Sequence, residues 1–247
     1  MKPKVLFFNS LPSTNKKAFE LAESGAEHGL IVQAGSQTAG RGRLGKSWQS
    51  KEKEGLYFSI IVRPGLDIAE YPKITMTTGV AVAEMIETIS STTAALKWPN
   101  DIYISGKKCC GILAEASLCD KNNQFCIIGI GINVLHSTDS FSRDIRSRAT
   151  SIYLETGKRF QLNELLWRIW ENVMTKIISL EKEGFRYILK EWEKRDYLHG
   201  KNLEWVTNGG KIISGISEGP DENGELLVRD SRGTVHKVIS GDISLAR

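Results

Sequence analysis

A glycine-rich segment near the N-terminus carries the densest set of chemically useful side chains. It reads Gln37-Thr38-Ala39-Gly40-Arg41-Gly42-Arg43-Leu44-Gly45-Lys46-Ser47-Trp48 and places three cations within six residues. Glycine lets a backbone approach an anion closely, and a guanidinium binds phosphate or carboxylate oxygens in a two-pronged fashion. The tryptophan ring at the end offers a flat surface for stacking. The segment predicts a site for an anionic ligand, and a solvated glycine-rich turn is the alternative.

Two nucleotide-binding motifs share this glycine pattern but do not fit the flanking sequence. Gly40, Gly42 and Gly45 match the dinucleotide fingerprint, in which a helix must start inside the motif so that its N-terminus meets the pyrophosphate. Here the apolar, β-prone run 56–62 follows instead. A protein-kinase loop is also excluded, because no Val-Ala-Ile-Lys, His-Arg-Asp or Asp-Phe-Gly segment follows it.

A second chemically rich segment spans residues 97–113. It carries Lys97, Asp101 and Lys108 around a predicted strand–turn–strand. Its Trp-Pro-Asn-Asp stretch at 98–101 is an unusual sequence for a plain turn. A structural role stays open, in which the tryptophan and proline pack while the asparagine and aspartate cap the turn.

Five segments together resemble those of biotin protein ligases. They are 11–15 (Leu-Pro-Ser-Thr-Asn), the glycine-rich loop, 97–102 (Lys-Trp-Pro-Asn-Asp-Ile), 108–113 (Lys-Cys-Cys-Gly-Ile-Leu) and 128–134 (Ile-Gly-Ile-Gly-Ile-Asn-Val). They occur in the family's order, and the resemblance covers the whole chain. Each piece is weak alone, whereas the joint occurrence is specific. The resemblance implies an α+β fold: a mixed, mainly antiparallel sheet with helices on one side, like a class II synthetase catalytic domain, plus a small SH3-like β-barrel.

The resemblance also implies an enzyme that uses ATP and Mg²⁺ to activate biotin as biotinyl-5′-AMP. The biotinyl group then passes to a specific lysine of a biotin carboxyl carrier domain of a carboxylase. In the first step a carboxylate must meet a phosphate, and their repulsion at ~4 Å is several kcal/mol at an intermediate dielectric constant. Cations held in position offset this repulsion, and the enzyme needs no covalent nucleophile.

Residue roles carried over from the family fall into three groups. The residues implied to act at the reacting atoms are Lys108, Arg41, Arg43 and Asp101. Those implied to bind biotin are Ser13, Thr14, Asn15, Gln37, Gly40, Arg41, Gly42, Arg43, Lys108 and Gly111. Those implied to bind ATP and the adenylate are Arg41, Arg43, Trp48, Asn100, Lys108 and Asn133. Mg²⁺ is expected with the nucleotide rather than in an all-protein site, with Asp101 as a candidate ligand.

Some of these residues carry further expectations. Trp48 is implied to stack on adenine, and Asn133 to reach the edge of that ring. The segment 13–15 has a plain helix cap as its alternative, and Asn133 a turn at a strand end. The glycine-rich loop is expected to be disordered without ligand and to close over the adenylate, which keeps water out.

Periodicity and turn residues predict the elements that position these side chains. Strands are predicted at 4–8, 30–34, 56–62, 94–98, 101–104, 111–117 and 124–133, and helices at 14–24, 75–89, 162–180 and 185–192. After about residue 197, short apolar runs at 202–206, 211–216, 225–228 and 234–239 alternate with glycine-containing breaks, which predicts the small barrel. We therefore predict a catalytic domain of residues 1–197 and a barrel domain of residues 198–247.

Bulk properties narrow the functional class. The 247 residues are 40% hydrophobic and 25% charged, the net charge is +4, and no apolar run reaches the ~20 residues that span a bilayer. The N-terminus lacks a cationic signal-peptide region, and the four cysteines lack metal-ligand spacing. We therefore expect a cytoplasmic protein with reduced thiols and no membrane partner. Only twelve residues precede Ser13, too few for a DNA-binding domain, so no DNA partner is expected.

Two other functions stay open at this point. A lipoate–protein ligase shares the fold and reaction type, but its Arg-Arg-x-Ser-Gly-Gly-Gly stretch is missing here. A non-catalytic biotin- or nucleotide-binding module is the second alternative, and the joint presence of Arg41, Arg43 and Lys108 argues against it. The residues leave open whether the chain is a monomer or a homodimer.

Overall fold

The computed structural model describes residues 3–117, 124–206, 212–238 and 243–245. The strands of its larger part are β1 (Val5–Leu11), β2 (Ile31–Gln37), β3 (Gly55–Val62), β4 (Ala95–Lys97), β5 (Asp101–Ile104), β6 (Lys107–Ser117) and β7 (Phe125–Asn133). They form one sheet in the order β1-β2-β3-β7-β6-β5-β4. The pair β1–β2 is parallel, and the other neighbouring pairs are antiparallel. The predicted mixed, mainly antiparallel sheet is confirmed.

Helices cover the sheet unequally. They are α1 (Thr14–Glu23), α2 (Tyr71–Ser90), α3 (Ile152–Thr156), α4 (Leu162–Glu183) and α5 (Phe185–Glu193). The long helices α2 and α4 pack, with α5, in the main apolar core on one face of the sheet. The short α1 packs with β2, β3 and β7 in a separate, smaller apolar cluster.

Two short helices begin at serine caps. The Ser13 side chain accepts a hydrogen bond from the Lys16 N–H at the start of α1, as the predicted cap requires. Helix α3 was not among the predicted elements. It starts at Ser151, whose Oγ accepts a hydrogen bond from the Leu154 N–H over 3.0 Å. Five residues are too few to produce a recognisable helical period, so the apolar pattern gave no signal for α3.

Strand β7 explains the alternating Ile-Gly-Ile-Gly-Ile-Asn sequence. Successive side chains of a strand point to opposite faces. Ile128, Ile130 and Ile132 lie in the core with α2 and α4. Gly129 and Gly131 therefore expose bare backbone on the other face. Asn133, the next residue on that face, places its side chain beside them. The sequence thus builds a packed face and an open face from one strand.

The described cysteines behave as buried apolar groups. Cys109, Cys110 and Cys126 are free and buried. Burial raises the pKa of all three thiols, that of Cys126 to about 12. They are therefore neutral at physiological pH and pack as apolar groups. Cys119 lies outside the described residues.

A second, five-stranded antiparallel sheet follows α5. Its strands are β8 (Asn202–Val206), β9 (Ile212–Pro220), β10 (Leu226–Arg229), β11 (Val235–Val238) and β12 (Ile243–Leu245), in the order β11-β10-β9-β8-β12. The four predicted runs are strands, and β12 is an addition. The predicted hairpin break at 208–210 lies outside the described residues. The domain boundary at residue 197 stays a prediction.

The second sheet is attached next to the Trp-Pro-Asn-Asp segment. The Trp98 indole Nε1 donates a hydrogen bond of 2.9 Å to the Gly224 carbonyl, and Trp98 itself is buried. The peptide bond between Trp98 and Pro99 is cis. The structural role considered for this tryptophan is therefore realised. Within the described residues, no helix combines the length and apolarity needed to cross a membrane.

Candidate active site

A cavity of about 1480 Å³ lies over the open face of β6 and β7. Typical small-molecule sites measure roughly 300–1,000 Å³, so this cavity has room for two substrates. The predicted site residues that line it are Ser13, Thr14, Asn15, Gln37, Arg41, Gly42, Arg43, Trp48, Asn100, Asp101, Lys108, Gly111 and Asn133. Segments far apart in the sequence are thus brought to one place.

Gly40 is the predicted site residue that does not line this cavity. Its carbonyl accepts a hydrogen bond of 2.9 Å from the Trp48 N–H. A side chain at position 40 would bring its Cβ to 2.4 Å from the Trp48 carbonyl oxygen, which is too close for any contact. Glycine is therefore needed here to close the base of the loop. Contact of Gly40 with biotin stays a prediction.

The glycine-rich loop folds back on itself beside the cavity. The Gly42 N–H donates to the Lys46 carbonyl over 2.7 Å, and a short 3₁₀ turn, Arg43–Gly45, forms the tip. Leu44 and Gly45 have left-handed backbone angles, with φ of 54° and 73°. The Leu44 side chain is 62% exposed. An apolar side chain held in water at the tip suits a loop that moves onto a ligand, and its disorder without ligand stays a prediction.

Lys108 lines the cavity from strand β6. Its Nζ is 2.6 Å from Asp101 Oδ1 and 5.6 Å from the centre of the Trp48 ring. The backbone of Lys108 is fixed on both sides, because its N–H donates to the Arg148 carbonyl and its carbonyl accepts from the Thr150 N–H, both over 2.9 Å. The ammonium is thus carried by a strand whose backbone is fixed, and it lies beside Trp48 at the end of the glycine-rich loop.

The two loop arginines each have a partner in the sheet region. Arg41 forms an ion pair with Glu115, and Arg43 Nη1 lies 3.4 Å from Asn100 Oδ1. Asn100 is itself fixed, since its Nδ2 donates to the Ile112 carbonyl over 2.9 Å. Asn100 therefore positions Arg43 from the sheet side.

Positive charge dominates the cavity lining. The cations are Arg41, Arg43, Lys46, Lys51, Lys97, Lys108 and Arg148. The carboxylates are Asp101, Asp144 and Glu204. This excess of positive charge suits anionic ligands such as phosphates and carboxylates.

A polar network forms one end of the cavity. The Thr14 N–H donates to Gln37 Oε1 over 2.8 Å. Ser59 Oγ lies 2.8 Å from Thr14 Oγ1 and 2.6 Å from Asn15 Oδ1. Asn15 Nδ2 donates to Glu115 Oε2 over 2.7 Å. The cap segment thus both starts α1 and presents polar groups to the cavity. Contact of these groups with biotin stays a prediction.

Ser59 and Glu115 were not predicted from the sequence. Ser59 is a fully buried serine inside the apolar strand β3, and Glu115 interrupts the largely apolar second half of β6. A single polar residue inside an otherwise apolar strand could have indicated both residues. A buried polar group requires a hydrogen-bonding partner, so such a residue points to a polar network.

Another part of the cavity lining is supplied by the last residue of β7 and the segment that follows it. Asn133 Nδ2 donates to the Thr150 carbonyl over 2.9 Å, which leaves part of the amide for a ligand. The buried His136 stacks on Phe141, with 5.2 Å between ring centres, and its Nε2 lies 3.2 Å from the Tyr57 hydroxyl. Burial lowers the pKa of His136 to about 4.

Comparison with known families decides the assignment. Residues 7–133 match the model of the biotin/lipoate A/B protein ligase family, and residues 200–246 match the biotin protein ligase C-terminal domain.

The chain belongs to the biotin protein ligase family.

Individual relatives support this assignment. The bifunctional ligase/repressor BirA of Bacillus spizizenii is 34% identical over 98% of this chain and 74% of its own length. The biotin–[acetyl-CoA-carboxylase] ligase of Mycobacterium tuberculosis is 28% identical over 94% of this chain and 85% of its own. The structure of the Aquifex aeolicus biotin protein ligase in complex with biotin and ATP superimposes with a TM-score of 0.84 at 30% identity, covering 99% of both chains. The predicted family, fold class and enzyme class are confirmed.

In this biotin protein ligase, Trp48 packs on two glycines that are direct cross-strand partners, Gly111 and Gly131. A Cβ added at Gly131 would lie 2.5 Å from Trp48 Cε2, so the indole would have to move. We expect Gly131→Ala to weaken ATP binding about fivefold, since an aromatic pair contributes ~1 kcal/mol beyond its buried area. Isothermal titration with ATP measures this.

Gly65→Ala is the matched control, because a Cβ at Gly65 meets nothing within 4 Å. Equal ATP affinity in the two variants would show that the position of Trp48 does not matter for the nucleotide.

His136 predicts an acid-sensitive stability of this ligase. Below pH 6.5 the histidine of the unfolded chain binds a proton, whereas the folded chain keeps it neutral down to about pH 4. The unfolded state then binds more protons, so stability falls as the pH drops through this window. Between pH 7 and pH 5 we expect wild type to lose about 2 kcal/mol more unfolding free energy than His136→Gln. Urea titrations at both pH values test this, and parallel losses in the two proteins would contradict it.

Proposed function

We propose that this chain activates biotin with ATP and transfers it to a lysine of a biotin carboxyl carrier domain. A carboxylate oxygen of biotin attacks the α-phosphorus, the bond to the bridging oxygen of the β-phosphate breaks, and pyrophosphate leaves. The lysine amine then attacks the carbonyl of biotinyl-5′-AMP, AMP leaves with the bonding electrons, and the amine loses a proton. The observation that carries the proposal is the convergence of Arg41, Arg43 and Lys108 on one cavity.

Charge neutralisation is the work that these cations do in the first step. Lys108 is fixed in a strand, whereas the arginines stand on a loop that folds beside it. An ammonium near the reacting oxygens offsets the repulsion between carboxylate and phosphate, and preorganised charges of this kind supply the largest part of many rate enhancements. Two of the three cations have a carboxylate partner from the sheet, because Asp101 pairs with Lys108 and Glu115 pairs with Arg41.

The two ends of the cavity suit two different substrates. The end near α1 offers the polar network of Thr14, Asn15 and Gln37 beside the bare backbone of Gly129, which fits a compact bicyclic head group with polar edges. The other end offers Trp48 and Asn133, which fit the face and the edge of adenine. Arg41, Arg43 and Lys108 line the same cavity, and in this proposal the carboxylate meets the α-phosphate beside them.

Magnesium fits this arrangement as a companion of the nucleotide. Within the described part of the chain, no three carboxylate, histidine or cysteine side chains converge on a common point. Asp101 is the carboxylate placed to assist, since it lines the cavity beside Lys108. Mg²⁺ usually binds through substrate phosphates and one or two carboxylates, and it would supply further charge neutralisation on the phosphates.

The decisive experiment is mass spectrometry of a biotin carboxyl carrier domain after incubation with this protein, biotin and MgATP. We expect the carrier to gain the mass of one biotinyl group at one lysine, with release of pyrophosphate. A carrier of unchanged mass together with no pyrophosphate release would refute catalysis and favour a non-catalytic binding module. Because ATP is the co-substrate, we place the reaction in the cytoplasm.

Lipoate is the competing substrate to test. The family model that covers residues 7–133 includes both biotin and lipoate ligases, whereas the C-terminal model is specific to biotin protein ligases. This second match favours biotin. In a competition assay at equal concentrations we expect biotin to be activated and lipoate to be left, and preferential lipoyl-adenylate formation would overturn the assignment of substrate.

A further inference from the structure

Glu115 joins two parts of the site that are otherwise separate. Its Oε1 pairs with Arg41 of the glycine-rich loop, and its Oε2 accepts the 2.7 Å hydrogen bond from Asn15 Nδ2 at the start of α1. The carboxylate is supplied by β6, a central strand of the sheet with neighbours on both sides. A rigid acid therefore holds one residue from the loop and one from the polar network.

The orientation of Asn15 is fixed by its surroundings. A Cβ at Gly129 would lie 2.0 Å from Asn15 Oδ1, so the amide packs directly on bare backbone of β7. Asn15 Nδ2 also donates to the Leu113 carbonyl over 3.1 Å, and Ser59 Oγ lies 2.6 Å from Oδ1. Asn15 Nδ2 therefore donates to the Leu113 carbonyl and to the Glu115 carboxylate, and Glu115 is held as one of its two acceptors.

The network continues from Asn15 to the base of the loop. Ser59 Oγ also lies 2.8 Å from Thr14 Oγ1, and both the N–H and the hydroxyl of Thr14 lie within 3.2 Å of Gln37 Oε1. Gln37 stands at the end of β2, where the glycine-rich segment begins. The loop is thus connected to the same polar network at its base through Gln37 and near its tip through Arg41 and Glu115.

We propose that Glu115 is a positioning residue that holds Arg41 in place when the loop is closed and links loop closure to occupation of the pocket near Asn15. A ligand that binds beside Asn15 and orders the polar network also orders the Glu115 carboxylate. The ordered carboxylate then binds Arg41 and so favours the closed loop. A charge-assisted hydrogen bond to Arg41 is stronger than a neutral one, so the link depends on the charge of Glu115 and not only on its shape. This inference rests on the proposed function and deepens it.

The test is the rate at which biotinyl-adenylate leaves the enzyme. Labelled adenylate is formed on the protein, excess unlabelled biotin is added, and retained label is followed over time. Glu115→Gln keeps the size of the side chain and removes its charge, and we expect dissociation about tenfold faster than in wild type. If the charge acts through Arg41, the same substitution in an Arg41→Ala background should change the rate less than twofold.

Glu218→Gln is the matched control. Glu218 pairs with Arg229 over 2.6 Å in the second sheet, and the exposed side-chain fractions of that pair, 33% and 47%, resemble the 27% and 51% of Glu115 and Arg41. Its adenylate dissociation rate should equal that of wild type. Should Glu115→Gln unfold at the assay temperature, Glu115→Asp replaces it, with an expected rate between those of wild type and Arg41→Ala.

The outcomes separate the two proposals. If wild type forms no adenylate, the proposed function fails. If wild type forms and retains adenylate while Glu115→Gln behaves like Glu218→Gln, the role of Glu115 is refuted and the function stands. The role of Glu115 would also be refuted if the double variant's increase in dissociation rate equalled the product of the increases in Glu115→Gln and Arg41→Ala. The two residues would then act independently.

Discussion

Lys108→Met should lower the rate of biotinyl-adenylate formation by roughly 10²–10³-fold, equivalent to about 3–4 kcal/mol of transition-state stabilisation. The methionine fills similar space without the charge. Pyrophosphate release under saturating biotin and MgATP measures the effect. Because the chemistry itself is affected, kcat should fall by more than KM rises.

Loss of structure is the competing explanation, since the substitution leaves Asp101 without its ammonium partner. The double variant Lys108→Met, Asp101→Asn removes both charges and should restore the thermal midpoint without restoring activity. Lys107→Met is the matched control, because Lys107 neighbours Lys108 on β6 but does not line the cavity. Recovery of activity in the double variant would contradict a direct role for Lys108.

Arg43→Ala should let the adenylate escape at roughly 10–150 times the wild-type rate. The guanidinium extends from the loop tip to within 3.4 Å of Asn100 Oδ1, so it links the loop to the sheet region beside the cavity. Charge-assisted hydrogen bonds to a phosphate contribute roughly 1.5–3 kcal/mol each, which sets this range. Rapid gel filtration of enzyme that carries labelled adenylate measures the retained fraction.

Arg232→Ala, in an exposed turn of the second sheet, is the control for removing an arginine. Its retained fraction should match wild type. Retention by Arg43→Ala as complete as in wild type would count against closure of the loop by this residue. A fall in adenylate formation without faster escape would assign Arg43 to the reaction step instead.

Local sequence patterns determined most of the framework. The alternating isoleucines and glycines of β7 predict a strand with two different faces. In the structure the isoleucines pack in the core, and Gly131 on the other face contacts the Trp48 ring. Helices α2, α4 and α5 were predicted from apolar spacing, with start residues within four positions of those observed. These features depend on residues close together in the chain, which is why periodicity and capping revealed them.

The sequence by itself also indicated the family and its chemistry, because the glycine-rich loop and the Lys-Trp-Pro-Asn-Asp segment carry the cations, the Trp48 ring and the family resemblance. Tertiary structure alone decided which groups meet. Arg41 and Glu115 are 74 positions apart, and Asn15 and Glu115 are 100 apart. Such pairings are fixed by the order of strands in the sheet, which no local pattern encodes, so the partners of the predicted side chains became visible only in the folded chain.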